Sequence, residues 1–283
     1  MTPFTTLIDA PTLAAQLRRD DLVVFDCRFD LASPAWGEAE YAAAHIPGAL
    51  YAHLDRELSG PVTPSSGRHP LPHPHSFAQW LAAKGVHENS QIIAYDQGNG
   101  AYAARLWWLA RWIGLRAIAV LDGGFAAWRA ANLPLENTVR ARAPGQLTPH
   151  VDPRAWLTTE AVDQLRQRPG NLLVDARGAE RFAGRNETLD PVAGHVPGAR
   201  NHPFLGNLGV DGKFLDPGSL RQRWSVILGS LPPSALIAMC GSGVTACHNL
   251  LALEHAGLTG GRLYAGSWSE WIRDPRRPIA IGQ

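Results

Sequence analysis

The chain has 283 residues, of which 45% are hydrophobic and 18% charged, which is ordinary for a globular protein of about two domains. A formal net charge of +1 gives no electrostatic reason to expect nucleic acid or a membrane surface as a partner. Three arginines interrupt the most apolar stretch, residues 104–120, so we expect no membrane span. The first residues lack a basic start and a long apolar run, and three scattered cysteines cannot build a disulfide framework. These features together predict a reducing, cytoplasmic environment.

Four sequence blocks occur twice, in the same order, at a spacing of about one domain. In chain order, the first copies are LVVFDCR from Leu22, AHIPGAL from Ala44, IIAYDQGNG from Ile92 and LDGGFAAW from Leu121. The second copies are LLVDARG from Leu172, GHVPGAR from Gly194, LIAMCGSGV from Leu236 and YAGSWSEW from Tyr264. The repeat predicts a duplicated domain.

The repeat also sets the predicted boundaries. A polar, Pro-containing stretch separates the two halves and is typical of a linker. We therefore predict an N-terminal domain over residues 1–137, a linker over 138–153 and a C-terminal domain over 154–283.

In each half, short apolar runs alternate with helix-like segments such as SFAQWLAAKGV and TACHNLLALEHAG. Continuous apolar strands alternating with helices are typical of a parallel sheet covered on both faces. The predicted fold class is therefore α/β, with two similar domains, each a parallel sheet flanked by helices. Ligands of such sheets bind at the carboxyl ends of the strands, where Asp96 and Cys240 both lie.

Cys240 ends a predicted strand and is followed by GSGVT and a helix beginning near Ala246. Glycines let the backbone curl tightly, and a curled loop before a helix turns several N–H groups inward. Such a loop favours a thiolate and would also stabilise an anionic persulfide. An inert, buried cysteine at a strand end is the structural alternative. Cys27 and Cys247 face no such loop, and we expect them to be core residues.

Two other uses of this loop are disfavoured. Gly241, Gly243 and Ala246 match a dinucleotide-binding fingerprint, but the next strand has no acidic residue to bind a ribose. A cysteine phosphatase needs an arginine that closes the loop on the phosphate, and Thr245 or Ala246 stands there instead.

The remaining polar motifs have structural interpretations. His45 and His195 lie in H-x-P-G-A turns and are expected to fix those loops by hydrogen bonds, as Asp26 and Asp175 do at strand ends. The histidines of RHPLPHPH lack the spacing and the neighbouring ligands of a zinc site. We expect neither a metal nor a cofactor.

These motifs resemble the tandem rhodanese-type sulfurtransferases over nearly the whole chain, through DCR and DAR, the paired HIPGA and HVPGA, the cysteine loop and the closing GSWSEWI. In that family the N-terminal copy lacks the cysteine and only the C-terminal copy is catalytic. The loop CGSGVTAC is most similar to the branch that uses 3-mercaptopyruvate.

The resemblance implies a role for each matching position. Cys240 would be the nucleophile that forms a persulfide, and Ser242, His69 and Asp55 would form a proton relay. Arg181 would bind the carboxylate of the donor, with Arg177 and Arg185 as further candidates. A second family arginine, nine residues beyond Arg181, is replaced here by Asp190. The residues expected to line the donor site from the loop are Gly241, Gly243, Val244 and Thr245.

The implied activity moves a sulfur atom from a small-molecule donor to cyanide or a thiol acceptor, such as a small thiol or a thioredoxin-like protein. Two alternatives remain open at this point. One is a thiosulfate sulfurtransferase with the same covalent intermediate. The other is a rhodanese-like sulfur-carrier or interaction module without enzymatic activity.

Overall fold

The computed structural model describes residues 2–139 and 141–282. Contacts between Cα atoms divide the chain into two compact units. The first comprises Met1–Gly60, Pro72–Asp152 and Val210–Phe214, and the second Pro61–Leu71, Pro153–Gly209 and Leu215–Gln283. Each unit therefore includes a short segment that the sequence boundaries assigned to the other domain.

The first unit contains one parallel sheet of five strands, in the order β1-β5-β4-β2-β3. The strands are β1 (Leu7–Ile8), β2 (Leu22–Asp26), β3 (Leu50–Tyr51), β4 (Gln91–Tyr95) and β5 (Ile118–Leu121). The helices are α1 (Ala10–Gln16), α2 (Trp36–Ala43), α3 (Pro74–Ala83), α4 (Ala103–Trp112) and α5 (Gly124–Ala130).

The second unit contains a second parallel sheet, in the order β6-β10-β9-β7-β8. Its strands are β6 (Trp156–Leu157), β7 (Leu172–Asp175), β8 (Arg200–Asn201), β9 (Leu236–Met239) and β10 (Arg262–Tyr264). Its α-helices are α6 (Thr159–Leu165), α7 (Ala179–Phe182), α8 (Pro217–Leu228), α9 (Thr245–His255) and α10 (Ser267–Trp271), and two short 3-10 helices cover Phe204–Asn207 and Pro233–Ala235. The two sheets share one strand order, which confirms the predicted fold class and the duplication.

The central strands are buried along their whole length. Every residue of β2 and β4 in the first sheet, and of β7 and β9 in the second, is buried. A parallel strand covered by helices on both faces needs apolar side chains in both directions, which explains the continuous apolar runs. The cores around Trp128 and Trp268 are held by this burial, which is worth about 25 cal/mol for each Å² of apolar surface.

The repeated DCR and DAR motifs build the same structure in both units. Asp26 binds the guanidinium of Arg28 in a fork, and Arg28 Nη2 also donates to the carbonyl of Ala44 at 2.7 Å. Asp175 binds Arg177 in the same way, and Arg177 Nη2 donates to the carbonyl of Gly194 at 2.8 Å. These contacts confirm the prediction that both aspartates help to fix the neighbouring backbone.

The H-x-P-G-A histidines are also structural in both units. His45 Nδ1 contacts the carbonyl of Tyr41 at 2.7 Å, and His195 Nδ1 contacts that of Phe182 at 2.8 Å. Each ring also stacks on the aromatic side chain of the same residue. This confirms the prediction that both histidines fix loops.

The predicted linker, 138–153, lies along the first unit as far as its structure is described. The N–H groups of Gly145, His150 and Asp152 donate to the carbonyls of Ala82, Ile113 and Trp112, respectively. Among the helices of residues 2–139 and 141–282, none is long and apolar enough to cross a membrane.

Candidate active site

Cys240 stands between β9 and α9, at the carboxyl end of the second sheet. Its Sγ accepts the N–H of Gly243 at 3.1 Å. The Cys240 N–H donates to Ser267 Oγ at 3.0 Å, and its carbonyl accepts the N–H of Trp268 at 3.0 Å. The sulfur is therefore held at a fixed point, with a backbone donor directed at it.

Gly243 is required for this turn. Its φ is +79°, and a Cβ at this position would lie 2.3 Å from the carbonyl oxygen of Ala265. A side chain would meet both the left-handed backbone and a neighbouring main chain. The glycine thus allows the loop to direct its N–H group at the sulfur.

The first unit contains the same loop with Asp96 in place of the cysteine. The carbonyls of Asp96 and Gln97 accept the N–H groups of Phe125 and Ala126, as those of Cys240 and Gly241 accept the N–H groups of Trp268 and Ser269. The Asp96 carboxylate accepts four backbone N–H groups at 2.9–3.3 Å, from Gly98, Gly100, Tyr102 and Ala103. In the first unit, the backbone N–H groups of this loop are therefore hydrogen-bonded to the buried carboxylate of Asp96.

The structure brings two of the three expected relay residues together. His69 Nδ1 lies 2.7 Å from Ser242 Oγ, and both residues are buried. The segment that carries His69 is bound to the second unit, because the Arg68 N–H donates to Ser269 Oγ at 3.0 Å and the Gly67 N–H to Glu270 Oε2 at 3.2 Å. Asp55 belongs to the first unit, where its N–H donates to His53 Nδ1, so its part in the relay stays a prediction.

Two arginines lie over the start of the cysteine loop. A Cβ added to Gly241 would lie 2.9 Å from Arg68 Nη2 and 3.6 Å from Arg181 Nη2. Arg181 binds the Glu187 carboxylate through Nε and Nη2 and reaches Asp190 Oδ2 at 3.2 Å. Arg68 Nη1 pairs with the other oxygen of Asp190. Arg68 was not predicted from the sequence, although it is adjacent to His69 in GRHPLP.

The pKa values of the acidic partners of these arginines shift in opposite directions. Burial favours the neutral form of Glu187, but hydrogen bonds from Arg181 and from the Leu189 and Asp190 N–H groups outweigh it and lower its pKa. Burial raises the pKa of Asp190, although Arg68 and Arg181 act in the opposite direction. The two positive charges over Gly241 are thus opposed by two carboxyl groups.

The other candidate arginines have different surroundings. The fork of Arg177 is occupied by Asp175, as that of Arg28 is by Asp26. Burial disfavours the Arg177 cation, but Asp175 and Glu187 raise its pKa and Cys240 contributes in the same direction. Arg177 therefore places a fixed positive charge near the sulfur. Arg185 is exposed and pairs with Glu180 on α7.

The two remaining cysteines are buried and form no disulfide. Burial, with the carboxylates of Asp26 and Asp96 nearby, raises the pKa of Cys27 well above its usual range, so Cys27 is a neutral thiol. Cys247 Sγ donates to the carbonyl of Gly243 at 3.3 Å. Cys247 is thus a buried core residue, as expected, and its place on α9 also brings its thiol into contact with the Gly243 carbonyl of the loop.

The other loop residues lie at the beginning of α9. Val244 is buried, and Thr245 is the first residue of the helix and is half-buried. The sequence placed the start of this helix one residue later, near Ala246, which is within the usual uncertainty of a helix end.

Comparisons with known proteins identify the family of the chain. The model of the rhodanese-like domain matches the chain twice, over residues 9–131 and 158–274. A probable 3-mercaptopyruvate sulfurtransferase of Pseudomonas aeruginosa is 50% identical over 278 residues, which is 98% of each chain. A putative thiosulfate sulfurtransferase of Mycobacterium tuberculosis is 37% identical over 278 residues, covering 98% of this chain and 97% of the relative.

A solved structure also resembles the chain over most of its length. The 3-mercaptopyruvate sulfurtransferase from Leishmania major superposes with a TM-score of 0.84 at 33% identity, covering 96% of this chain and 76% of the other. The cysteine loop, its cysteine-free copy and the two matched domains together show that the chain belongs to the rhodanese family of sulfurtransferases with two tandem domains.

Proposed function

We propose that the chain is a 3-mercaptopyruvate sulfurtransferase whose second unit is catalytic and whose first unit has lost the nucleophile. The single observation that carries this proposal is the position of Cys240 Sγ, which accepts the Gly243 N–H in a loop whose next residue, Gly241, lies against the guanidinium groups of Arg68 and Arg181. A thiolate is stabilised by such donors and attacks sulfur more readily than a thiol does. The names of the relatives from Pseudomonas aeruginosa and Leishmania major support the choice of donor.

In the proposed reaction, the Cys240 thiolate attacks the sulfur of 3-mercaptopyruvate. A new S–S bond forms as the C–S bond of the donor breaks, and the electron pair of that bond goes to carbon, which gives the enolate of pyruvate. The enolate takes up a proton and leaves as pyruvate. An acceptor thiolate then attacks the outer sulfur and releases Cys240 as a thiolate, while cyanide would leave as thiocyanate.

The hydrogen bond between Ser242 and His69 supports a role in moving this proton. Ser242 is itself a residue of the cysteine loop, and an imidazole in contact with its hydroxyl is a group that can take up and return a proton. Asp55 would orient the imidazole as the third member of the relay. A donor that carries a thiol needs such a proton path, whereas thiosulfate does not.

For the donor carboxylate, we favour Arg181 as the anchor, because its side chain is partly exposed beside Gly241. The contacts of Arg177 and Arg185 support other roles, a fixed charge near the sulfur and a surface ion pair. The acceptor would be a small thiol or a thioredoxin-like protein. We infer a cytoplasmic location, since the three cysteines are all unbridged.

Mass spectrometry of the intact protein tests this function directly. Incubation with 3-mercaptopyruvate should add one sulfur atom to the wild type and to Cys247→Ser, but not to Cys240→Ser. Cys247 is the matched control because it is a buried thiol in contact with the same loop. Equal loss of persulfide in both folded variants would indicate a reaction that needs two cysteines.

Thiosulfate is the second candidate donor, supported by the two arginines over Gly241 and by the name of the Mycobacterium tuberculosis relative. We expect kcat/KM for 3-mercaptopyruvate to exceed that for thiosulfate by at least about tenfold, or about 1.4 kcal/mol. Equal or higher efficiency with thiosulfate would reverse this assignment. Persulfide formation without turnover to any acceptor would instead support a sulfur-carrier module.

A further inference from the structure

The segment that carries His69 is bound by the side chains of two consecutive residues of α10. The Gly67 N–H donates to Glu270 Oε2 at 3.2 Å, and the Arg68 N–H donates to Ser269 Oγ at 3.0 Å. These two N–H groups belong to the residues immediately before the histidine. Ser269 and Glu270 therefore fix the backbone from which the His69 side chain extends.

The Glu270 carboxylate is held in turn by its other oxygen. Thr159 Oγ1 donates to Glu270 Oε1, and the Tyr264 hydroxyl lies 2.8 Å from Thr159 Oγ1. Because the single hydroxyl proton of Thr159 goes to the carboxylate, Tyr264 donates to Thr159. A Cβ at Gly266 would lie 2.4 Å from Glu270 Cδ, so this glycine leaves room for the carboxylate at the start of α10. These contacts give the Glu270 carboxylate one fixed position.

The start of α10 also binds the cysteine loop. The Ser269 N–H donates to the Gly241 carbonyl at 2.8 Å. Ser269 thus binds the loop through its main chain and the segment before His69 through its side chain. The same short helix therefore fixes both partners of the 2.7 Å contact between His69 Nδ1 and Ser242 Oγ.

The polar side chains of this network are replaced by apolar ones in the unit without the cysteine. The matching positions follow from the strand register, the helix starts and the N–H groups that bind each loop. Where the second unit has Thr159, Tyr264, Ser269 and Glu270, the first has Ala10, Leu121, Ala126 and Ala127. The first unit forms the equivalent helix with two alanines, so the polar residues are not needed to form it.

We propose that Glu270 and Ser269 are positioning residues of the sulfur-transfer reaction, which keep the His69 imidazole in contact with the Ser242 hydroxyl. They act through the backbone of residues 67 and 68. A displacement of about 1 Å in a group that takes part in the reaction can slow it about hundredfold. This proposal rests on the proposed function, because the proton relay serves a donor that carries a thiol.

Single-turnover formation of the persulfide tests the role of Glu270. With saturating 3-mercaptopyruvate, Glu270→Ala should lower this rate about tenfold to hundredfold, and the donor concentration that gives half of it should change less than about threefold. With thiosulfate the rate should fall less than about threefold, because that donor needs no proton path. A wild-type rate with 3-mercaptopyruvate in folded Glu270→Ala would overturn the proposal.

Two further variants at glutamates show whether the loss is specific. Glu270→Gln keeps an oxygen for the Gly67 N–H and an amide that can donate to Thr159, so its rate should stay within about threefold of the wild type. Glu160→Ala is the matched control, because Glu160 is an exposed glutamate of the same unit that pairs with Arg277. Its rate should equal that of the wild type, and a loss as large as that of Glu270→Ala would overturn the proposal.

A double-mutant cycle separates positioning from a general loss of structure. If Glu270 acts through the contact between His69 and Ser242, Glu270→Ala should slow the Ser242→Ala protein less than about twofold. The same factor in the Ser242→Ala protein as in the wild type would overturn the proposal. If Glu270→Ala does not fold, Ser269→Ala takes its place in the cycle, with an expected loss of about threefold to tenfold in the wild-type background.

The nitrogen signals of the His69 imidazole test its position without any sulfur transfer. In a proton–nitrogen NMR spectrum, where His69→Gln identifies these signals, Glu270→Ala should shift them in the same direction as Ser242→Ala does. Both variants break the same contact, whereas Glu160→Ala should leave the signals unchanged. Unchanged His69 signals in folded Glu270→Ala would overturn the positioning role. Shifted signals in a protein that takes no sulfur from 3-mercaptopyruvate would support the positioning of His69 and refute only the proposed function.

Discussion

Replacing Gly243 by alanine should damage both stability and sulfur transfer, and the structure separates the two effects. The left-handed backbone of Gly243 costs a residue with a Cβ about 1–2 kcal/mol. The new Cβ would also lie 2.3 Å from the Ala265 carbonyl oxygen, and overpacking of this kind typically adds about 1–3 kcal/mol. Gly243→Ala should therefore lower the free energy of unfolding by about 2–5 kcal/mol.

The effect on activity comes from the hydrogen bond to sulfur. The loop must move to accommodate the methyl group, and the 3.1 Å contact between the Gly243 N–H and Cys240 Sγ is then lost. A hydrogen bond to a charged group is worth about 1.5–3 kcal/mol, so kcat/KM should fall about tenfold to hundredfold. The assays are urea unfolding and steady-state kinetics on the folded variant.

Gly170→Ala is the matched control for this experiment. Gly170 lies in the same unit with a φ of +86°, but a Cβ there would have nothing within 4 Å. The control should lose only the backbone term, about 1–2 kcal/mol, and keep full activity. Equal stability losses in the two variants, or full activity in Gly243→Ala, would refute the reasoning about the loop.

Two further predictions concern the relay and the acidic residues. Ser242→Ala should lower kcat about hundredfold with 3-mercaptopyruvate and much less with thiosulfate, because only the thiol donor needs the proton path; equal losses with both donors would contradict the relay. The pKa of Glu187 is lowered in the fold, so its stabilising contribution is present above its unfolded pKa and is lost as the pH falls through the folded value. The difference in unfolding free energy between the wild type and Glu187→Gln should therefore be constant well above 4.5, the ordinary pKa of a glutamate, and should shrink as the pH falls below it; a constant difference over the acid range would show that Glu187 does not titrate this way.

Much of the fold could be predicted because its signals are local. Each buried central strand is a continuous apolar run, and each strand-end glycine loop leads into a helix. The repeat of these signals in one order was enough to predict two similar parallel sheets. Cys240 was recognised for the same reason, since strand, loop and helix are contiguous around it.

The candidate site could be predicted only in part, because several of its contacts join residues far apart in sequence. No local pattern shows that Pro61–Leu71 belongs to the second unit, and this segment carries both His69 and Arg68. His69 was found through the family resemblance, but Arg68 was not, because it stands outside the positions that the resemblance provides. Asp190 could be recognised as a departure, whereas its partner Arg68 became evident only from the structure.

Arg177 illustrates a role that the repeat itself could have predicted. DCR in the first unit and DAR in the second carry equivalent arginines, and only the second unit has the cysteine. Arg28 binds Asp26 in the unit that lacks the nucleophile. Its counterpart Arg177 binds Asp175 in the same way, which indicates a structural role for Arg177 too. Comparing the two halves position by position separates shared structural residues from those that occur only in the unit with the cysteine.

The same comparison leads to a last prediction, on Asp96. In the first unit this carboxylate accepts four backbone N–H groups, so Asp96→Asn should lose the two bonds that the amide nitrogen cannot accept. We expect a loss of about 2–4 kcal/mol in unfolding free energy, because buried donors left without an acceptor are costly. Sulfur transfer by the folded variant should be unchanged, since Cys240 lies in the other unit.

Asp30→Asn is the control, because exposed Asp30 accepts one N–H group, from Ala32, and its change should stay within about 0.5 kcal/mol. If Asp96→Asn is as stable as the wild type, the carboxylate does not hold the loop. If the predicted loss is observed, the duplicated loops differ for a physical reason: one is filled by its own anion, and the other presents a thiol and leaves room for the anion of a substrate.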